Sequence, residues 1–286
     1  MNVAPRYLGR GSWLARRDPR VLILVAILTA ITVPQVWDLR IAIPLLVIAQ
    51  VYYRAAAIPF EAVKGQWIFV FVFLSILILF NTIITSGEVG SLVQGDLHVL
   101  FYIPIIGTPV SAEAVAYGAT QFVRFLTFTS VGFPIAYCVA PNDLGPAFAR
   151  LRVPDKFAFG VDLTFRFIPS LADDLQTTID AQRVRGYDPD KLGRGPVGRL
   201  RRLGPVVVPL TINAIVNAED TIDAMDLRAF GTGKRTWLRE LIYDNVDKLI
   251  LLTSVAILVL ITALHIAGYT DLWTPQFLID LANRRS

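Results

Sequence analysis

Long uncharged apolar runs constrain the fold of this chain more than any other feature. No Asp, Glu, Lys or Arg lies between Gly65 and Gly87, or between Leu249 and Thr270. About 20 such residues cross a ~30 Å hydrocarbon core as an α-helix, because a helix satisfies its backbone hydrogen bonds within the segment. Only 17% of all residues are charged, against about 25% in typical soluble domains. The sequence therefore predicts an all-α integral membrane protein.

About five transmembrane helices are predicted from these runs. They cover residues 21–37, 41–53, 65–87, 112–139 and 249–270. Residues 88–111 are rich in Gly and Pro, which favours a short external hairpin or an irregular loop. The predicted organisation has three parts. Residues 1–142 hold the first four spans, 143–245 form a cytoplasmic region of coupling helices, and 246–286 hold the last span and an external tail.

The arginines predict the orientation of the chain in the membrane. With the N-terminus inside, only Arg40, Arg284 and Arg285 of the 27 Lys and Arg residues lie outside, and Arg124 lies within a span. Cytoplasmic loops carry such an excess of Lys and Arg. The basic residues thus indicate topology in the cell membrane, with the N-terminus and the coupling region cytoplasmic. They do not indicate nucleic-acid binding.

Two long amphipathic helices are predicted in the polar region, at about 155–186 and 204–229. Apolar residues recur every three or four positions on one face of each, which is the period of a helix. The first helix ends as Val184-Arg185-Gly186, with glycine suited to a left-handed cap. The second ends in a similar way, as Leu227-Arg228-Ala229. The two endings are the most distinctive feature of the region.

A single arginine at a helix end is ordinary, because it complements the helix dipole. Similar endings on two consecutive helices favour a second interpretation, in which they form a docking surface for a partner protein. An arginine fork suits a carboxylate or the carbonyls of a helix end on that partner. The predicted docking residues are Val184, Arg185, Gly186, Leu227, Arg228 and Ala229.

Catalytic and metal-binding patterns are absent from the sequence. The segment Gly231–Thr236 resembles the end of a phosphate-binding loop, but Arg228 and Arg235 occupy positions where the P-loop needs Gly and Ser or Thr. The single Cys and the two His, far apart in the chain, predict neither a metal site nor a cofactor. Arg124 has two interpretations: a charge that marks a transport pathway, or a structural residue that snorkels or pairs with a carbonyl.

Several segments resemble the transmembrane T component of energy-coupling factor (ECF) transporters, the EcfT/CbiQ type, over nearly the whole chain. They are Asp18-Pro19-Arg20, Asn81 with Gly87-Glu88, residues 163–171, and the two arginine endings at 181–186 and 218–229. Three positions depart from the family pattern. Val184 and Leu227 replace a small residue, and Ala229 replaces glycine.

The resemblance implies a non-catalytic subunit that pairs with two ABC-type ATPase subunits and with a membrane-embedded substrate-binding S component. Each arginine ending would then sit in a groove of one ATPase, and the apolar helix faces would contact the S component. The residues implied for this second contact are Phe157, Val161, Phe165, Ile168, Leu171, Val207, Leu210 and Ala214. The transported substrate would be a vitamin, or a cobalt or nickel ion.

Two other functions remain open at this stage. A self-sufficient transporter or channel would need polar groups at the middle of the membrane, and only Arg124 and the pair Asn81-Thr82 qualify. A membrane-bound enzyme would need catalytic groups in the polar region, which has no His or Cys.

Overall fold

The computed structural model describes residues 11–85, 99–102, 109–187, 203–233, 237, 241–276 and 279–280. Helices dominate these residues. They are α1 (Pro19–Thr32), α2 (Leu39–Ala55), α3 (Phe60–Thr85), α4 (Ala112–Cys138), α5 (Pro141–Arg150), α6 (Asp155–Val184), α7 (Gly204–Leu227) and α8 (Asn245–Ile266). The predicted all-α membrane fold class is confirmed: α1, α2, α3, α4 and α8 coincide with the five apolar runs, and α6 and α7 with the two amphipathic segments.

The helices differ in how well they suit a membrane span. By length and apolar composition, Phe60–Phe80 and Asn245–Ile266 could each cross a membrane. A third candidate arises if Ala112–Cys138 and Pro141–Arg150 form one span. The sequence predicts about five. The difference has a local cause in α1, where Pro34 sits in a 3-10 turn that ends the α-helix at Thr32.

Two short strands are present in the predicted loop 88–111. β1 (Val99–Tyr102) and β2 (Pro109–Ser111) pair antiparallel, with Val99 opposite Ser111. This pairing supports the hairpin alternative for the described part of the segment. The rest of the predicted loop lies outside the described residues, as do Gly87 and Glu88.

The chain divides into two compact units. The first contains Met1–Ala140 and Ile242–Ser286, and the second contains Pro141–Leu241. In the first unit, α4 packs against α1, α2 and α3, and α1 packs against α8. One apolar cluster joins Val36, Ala42 and Ile261, and another joins Val63, Trp67 and Tyr137. Helix α4 is therefore the centre of the apolar bundle.

Asp18 and Arg20 fix the end of the bundle at which α1 and α8 begin. The Asp18 carboxylate caps α1 by accepting the Arg20 backbone N–H at 2.9 Å. It also pairs with the Arg20 guanidinium, whose Nε lies 3.0 Å from Oδ2, and both side chains are buried. The guanidinium stacks on the Tyr243 ring at 3.9 Å. The start of the first helix is thus held against the residues that precede the last one.

A second ion pair lies at the same end. Arg17 Nη1 is 2.7 Å from Asp244 Oδ2, and Asp244 caps α8 by accepting the Asn245 backbone N–H. That hydrogen bond, followed by the one from Arg17, lowers the pKa of the Asp244 carboxyl. The carboxylate is therefore charged at neutral pH, in the state that both contacts require.

In the second unit, α5 packs against α6, and α6 against α7. Gly145 allows the first contact, because a Cβ there would lie 2.6 Å from the Asp162 Cβ and 3.1 Å from the Ala158 carbonyl oxygen. The second contact includes the rings of Phe159 and Phe230, whose centroids are 4.4 Å apart. These contacts position the helices that carry the two arginine endings.

Candidate docking site

The first arginine ending closes α6 in a Schellman motif. Arg185 is the C-cap, and Gly186 adopts a left-handed φ of +86°. The Tyr187 N–H donates to the Gln182 carbonyl at 3.0 Å, and the Gly186 N–H donates to the Arg183 carbonyl at 2.9 Å. These two bonds define the motif. The backbone itself satisfies these carbonyls of the last turn, so the arginine side chain is not needed to cap them.

The second ending repeats this geometry on α7. Arg228 is the C-cap, and Ala229 has a φ of +52°. The Phe230 N–H donates to the Met225 carbonyl at 3.0 Å, and the Ala229 N–H donates to the Asp226 carbonyl at 2.9 Å. The likeness of the two sequences is therefore a likeness of backbone structure, residue by residue.

An aromatic residue completes both motifs. Tyr187 and Phe230 each lie two positions after the arginine, and each is half-buried. In a Schellman motif this position commonly makes an apolar contact back to the last helical turn. Neither aromatic residue is among the predicted docking residues. The repeated order apolar, Arg, small, aromatic is the signal that identifies them.

The residue before each arginine is exposed to an unusual degree for its type. Val184 and Leu227 each have 89% of their surface accessible, and Arg185 and Arg228 are exposed as well. Fully burying a Val or Leu side chain is worth about 1.5–3 kcal/mol. Each helix end thus presents one apolar side chain beside one guanidinium. The apolar side chain is hardly buried by the chain itself, so most of the free energy of its burial is available to a partner.

The charged residues near Arg185 leave its guanidinium available to a partner protein. Arg183 pairs with Asp180, whose Oδ1 lies 3.2 Å from Nη1. Asp180 therefore neutralises Arg183 and not Arg185. Within the described residues, Arg185 forms no side-chain hydrogen bond or ion pair.

The two endings do not lie side by side. Phe230 follows the second ending and packs on Phe159, near the start of α6. The first ending lies at the other end of that helix. At a rise of 1.5 Å per residue, Arg185 is about 40 Å along α6 from Phe159. The second unit therefore carries two separate docking points.

The residues predicted to contact an S component differ in exposure. Phe157 is 70% exposed, and Ile168, Leu171 and Val207 are also exposed. Val161, Phe165, Leu210 and Ala214 are half-buried. Phe165 lines a cavity of about 410 Å³ that also includes Asp162, Arg166 and Trp237.

One exposed apolar face of α7 is not among the predicted contact residues. Val208, Ile212 and Ile215 are more than half exposed, and their spacing of four and three places them on one side of the helix. The predicted contact residues Val207, Leu210 and Ala214, with a spacing of three and four, fit the same helical period. Several apolar positions fit a helical period on this segment, so the pattern did not decide which of them face outward.

The contacts of Arg124 support its interpretation as a structural residue that pairs with a carbonyl. Its Nη2 donates to the Pro34 carbonyl at 2.9 Å and its Nη1 to Gln121 Oε1 at 2.7 Å. The guanidinium lies over the Trp37 ring, 4.6 Å from its centroid. Pro34 occupies the turn between α1 and α2, so the arginine ties α4 to that turn.

We expect opposite effects from exchanging the small residues of the two motifs. An L-residue in the left-handed conformation costs about 1 kcal/mol relative to glycine. A Cβ at Gly186 would meet nothing within 4 Å, so Gly186→Ala isolates the backbone cost. Hydrogen exchange of the Tyr187 amide should be about fivefold faster in this variant. Exchange of the Phe230 amide should be about fivefold slower in Ala229→Gly. Changes of the same sign would contradict the left-handed geometry at one of the two sites.

The fold and these endings define an α-helical membrane protein with two exposed arginine endings of the same geometry. A family model described as "Cobalt transport protein" (CbiQ) matches residues 10–237. The chain belongs to this family, and the predicted resemblance to the transmembrane component of ECF transporters is confirmed.

Several relatives are named as that component. The chain is 33% identical to the energy-coupling factor transporter transmembrane protein EcfT of Exiguobacterium sibiricum, over 50% of this chain and 57% of that protein. It is 29% identical to EcfT of Listeria innocua, over 88% of this chain and 94% of the relative. It is 25% identical to EcfT of Lactococcus lactis, over 90% of this chain and 95% of the relative. The first of these matches spans little more than half the length of the relative.

Proposed function

We propose that this chain is the transmembrane coupling subunit of an ECF-type ABC importer. It transmits the ATP-driven motion of two ATPase subunits to a substrate-binding S component and has no catalytic activity of its own. One observation is the main support for this proposal. Two helix ends have the same Schellman geometry, and each has an exposed arginine beside an apolar side chain that is 89% exposed.

Each end suits a groove that combines an apolar pocket with an acidic rim. Val184 or Leu227 fills the pocket, and the adjacent guanidinium forms a bidentate pair with a carboxylate. Aromatic, arginine and buried apolar anchors of this kind carry most of the energy of protein interfaces. The Schellman backbone holds each anchor in place before binding, which lowers the entropic cost of association.

Two ATPase subunits fit the spacing of the ends. Because about 40 Å of α6 separates them, each end engages one subunit. When the ATPases close on ATP, their two grooves approach each other and the ends must follow. Because α6 and α7 contact each other, that displacement is transmitted to whatever contacts their free apolar faces.

The S component is the proposed contact of these apolar faces. On α6 the contact residues are Phe157, Val161, Phe165, Ile168 and Leu171, and on α7 they are Val207, Leu210 and Ala214. The exposed residues Val208, Ile212 and Ile215 extend this surface on α7. The substrate carried by the S component is a micronutrient, either a vitamin or a cobalt or nickel ion.

The proposed location is the plasma membrane, with the N-terminus and the region 143–245 in the cytoplasm. Residues 1–142 and 246–286 form the membrane-embedded parts on either side, with the loop 88–111 and the tail outside. The excess of Lys and Arg on one side of the predicted spans supports this orientation.

Reconstitution tests the function directly. The full chain is expressed with the ATPase and S-component candidates from the same genome and purified through a tag on this chain. We expect two ATPase subunits to co-purify per chain, and the complex in vesicles to accumulate the substrate only with ATP. Uptake by this chain alone, without ATPases, would instead identify a self-sufficient transporter.

A further inference from the structure

The ring of Phe230 connects the second arginine ending to α6. It packs on the ring of Phe159, with centroids 4.4 Å apart and planes inclined by 44°. Both residues are half-buried. Aromatic pairs with centroids about 4.5–7 Å apart attract each other beyond the burial of their surfaces, and this pair lies at the short limit of that range. The contact therefore holds the end of α7 against the start of α6.

The backbone between Arg228 and Phe230 is fixed by hydrogen bonds. Ala229 alone separates the two residues, in a left-handed conformation with φ at +52°. The Ala229 N–H donates to the Asp226 carbonyl at 2.9 Å, and the Phe230 N–H donates to the Met225 carbonyl at 3.0 Å. Because no free segment of chain lies between them, a displacement of the arginine backbone also displaces the Phe230 ring.

The part of α6 that receives this contact is packed tightly on α5. Ala158, which precedes Phe159, is fully buried. A Cβ on Gly145 of α5 would lie 3.1 Å from the Ala158 carbonyl oxygen and 2.6 Å from the Asp162 Cβ. Helices in such close contact resist sliding past each other, since protein interiors have little free space. A displacement that reaches Phe159 is therefore passed to α5 and α6 together.

The two rings lie apart from the docking contact. In the docking site proposed above, the partner takes up Leu227 and Arg228, and Leu227 is 89% exposed. The rings of Phe159 and Phe230 pack on each other instead. Docking and transmission thus use different side chains of the same helix end, so each can be changed without the other.

We propose that Phe159 and Phe230 form the joint through which a movement of the second docking point reaches α6. Both are positioning residues for energy coupling, and neither is required for binding the ATPase. This role rests on the function proposed above, in which the ATPases move the docking points. Without the joint, the end of α7 follows the ATPase while α6 stays behind. ATP is then hydrolysed without the movement that the S component needs.

Uptake per ATP hydrolysed tests the joint. The full chain is reconstituted in vesicles with its ATPases and S component, and both rates are measured in the same preparation. In Phe159→Ala, uptake per ATP should fall about two- to tenfold, which is the factor that an aromatic pair contributes to an equilibrium. Co-purification of the ATPases should be unchanged, because Leu227 and Arg228 are intact.

Two further variants show whether the rings act through each other. Phe230→Tyr keeps the ring, as Tyr187 does at the same position of the first ending, and should couple normally. Phe159→Ala/Phe230→Ala should uncouple no further than Phe159→Ala, because either change alone already removes the contact. Losses that multiply in the double variant would overturn the joint. If Phe159→Ala does not fold, Phe159→Leu also removes the ring and should lower uptake per ATP.

The outcomes distinguish the joint from the coupling function itself. If the unchanged chain drives uptake with ATP and Phe159→Ala has a normal ratio of uptake to ATP hydrolysis, the joint is wrong and the function stands. If Phe159→Ala loses its ATPases in the same proportion as its uptake, the ring serves docking and the joint is again wrong. If the unchanged chain neither retains ATPases nor drives uptake, the function and the joint fail together.

Discussion

The double variant Arg185→Ala/Arg228→Ala is expected to lose stable association with the ATPase subunits and to abolish ATP-dependent uptake. Each guanidinium is the charged half of a docking point, and a hydrogen bond to a charged group contributes about 1.5–3 kcal/mol. Removing one arginine should weaken its site by roughly 10–100-fold. In a single variant the unchanged end still docks one ATPase subunit, so association weakens without being lost. The double variant loses both sites and the gain from linking them.

Co-purification through a tag on this chain measures the association, and uptake into vesicles measures the coupling. Arg183→Ala is the matched control, since Arg183 is exposed, lies in the last turn of α6 and is already paired with Asp180. It should reduce neither quantity by more than about twofold. Normal co-purification and uptake in the double variant would refute the docking role of both endings.

Asp18→Ala should produce the largest loss of stability of any single change considered. It removes the Asp18 carboxylate from the buried pair with Arg20, and breaking a buried pair in this way costs about 3–5 kcal/mol. It also removes the cap of α1, worth about 1 kcal/mol. Because Arg20 still contacts the Tyr243 ring, we expect the lower end of the range. The midpoint of thermal unfolding in detergent should fall by roughly 10 °C.

Asp38 provides a matched control within the same chain. It also caps a helix and is also followed two residues later by an arginine, whose backbone N–H it accepts at 2.8 Å. Its arginine, Arg40, is exposed and stacks on Trp273 rather than pairing with the carboxylate. Asp38→Ala should therefore cost only the cap, about 1 kcal/mol. Asp18→Asn separates the two contributions, since it keeps a capping oxygen and loses the charge. Equal losses from Asp18→Ala and Asp38→Ala would rule out the buried pair as a major source of stability.

The comparison of Asp18 with Asp38 shows the limit of local sequence patterns. Both segments read as an aspartate before an apolar helix with an arginine two positions later, and both aspartates cap their helices. Only the first aspartate and arginine form a buried ion pair, because the packing of α8 on α1 covers it with residues such as Tyr243. A contact across more than 200 positions has no signature within either segment.

Arg124 gives a similar lesson for single charged residues. The sequence placed it within an apolar helix and left two interpretations open. Its hydrogen bond to the Pro34 carbonyl depends on how α4 packs against the turn after α1. That turn exposes a carbonyl because the helix changes to a 3-10 turn at the proline.

The sequence by itself determined the positions of the apolar helices and of the two amphipathic ones. Apolar content and helical period are properties of contiguous residues, and they survive whatever the packing is. It also determined that the glycine at position 186 stops α6, whose last helical residue is Val184, and that each ending carries an arginine. The left-handed conformation of Ala229 did not follow in the same way, because alanine disfavours it. The hydrogen bonds of Phe230 and Ala229 to the last turn hold that conformation.

Only the tertiary structure decided which surfaces are free. Packing within the second unit leaves Val208, Ile212 and Ile215 exposed and half-buries Leu210 and Ala214, although both sets fit a helical period. The same packing sets the contact of Phe230 with Phe159, which separates the two arginine endings by most of the length of α6. Exposure and distance depend on neighbours that are remote in sequence, and for that reason no single segment could predict them.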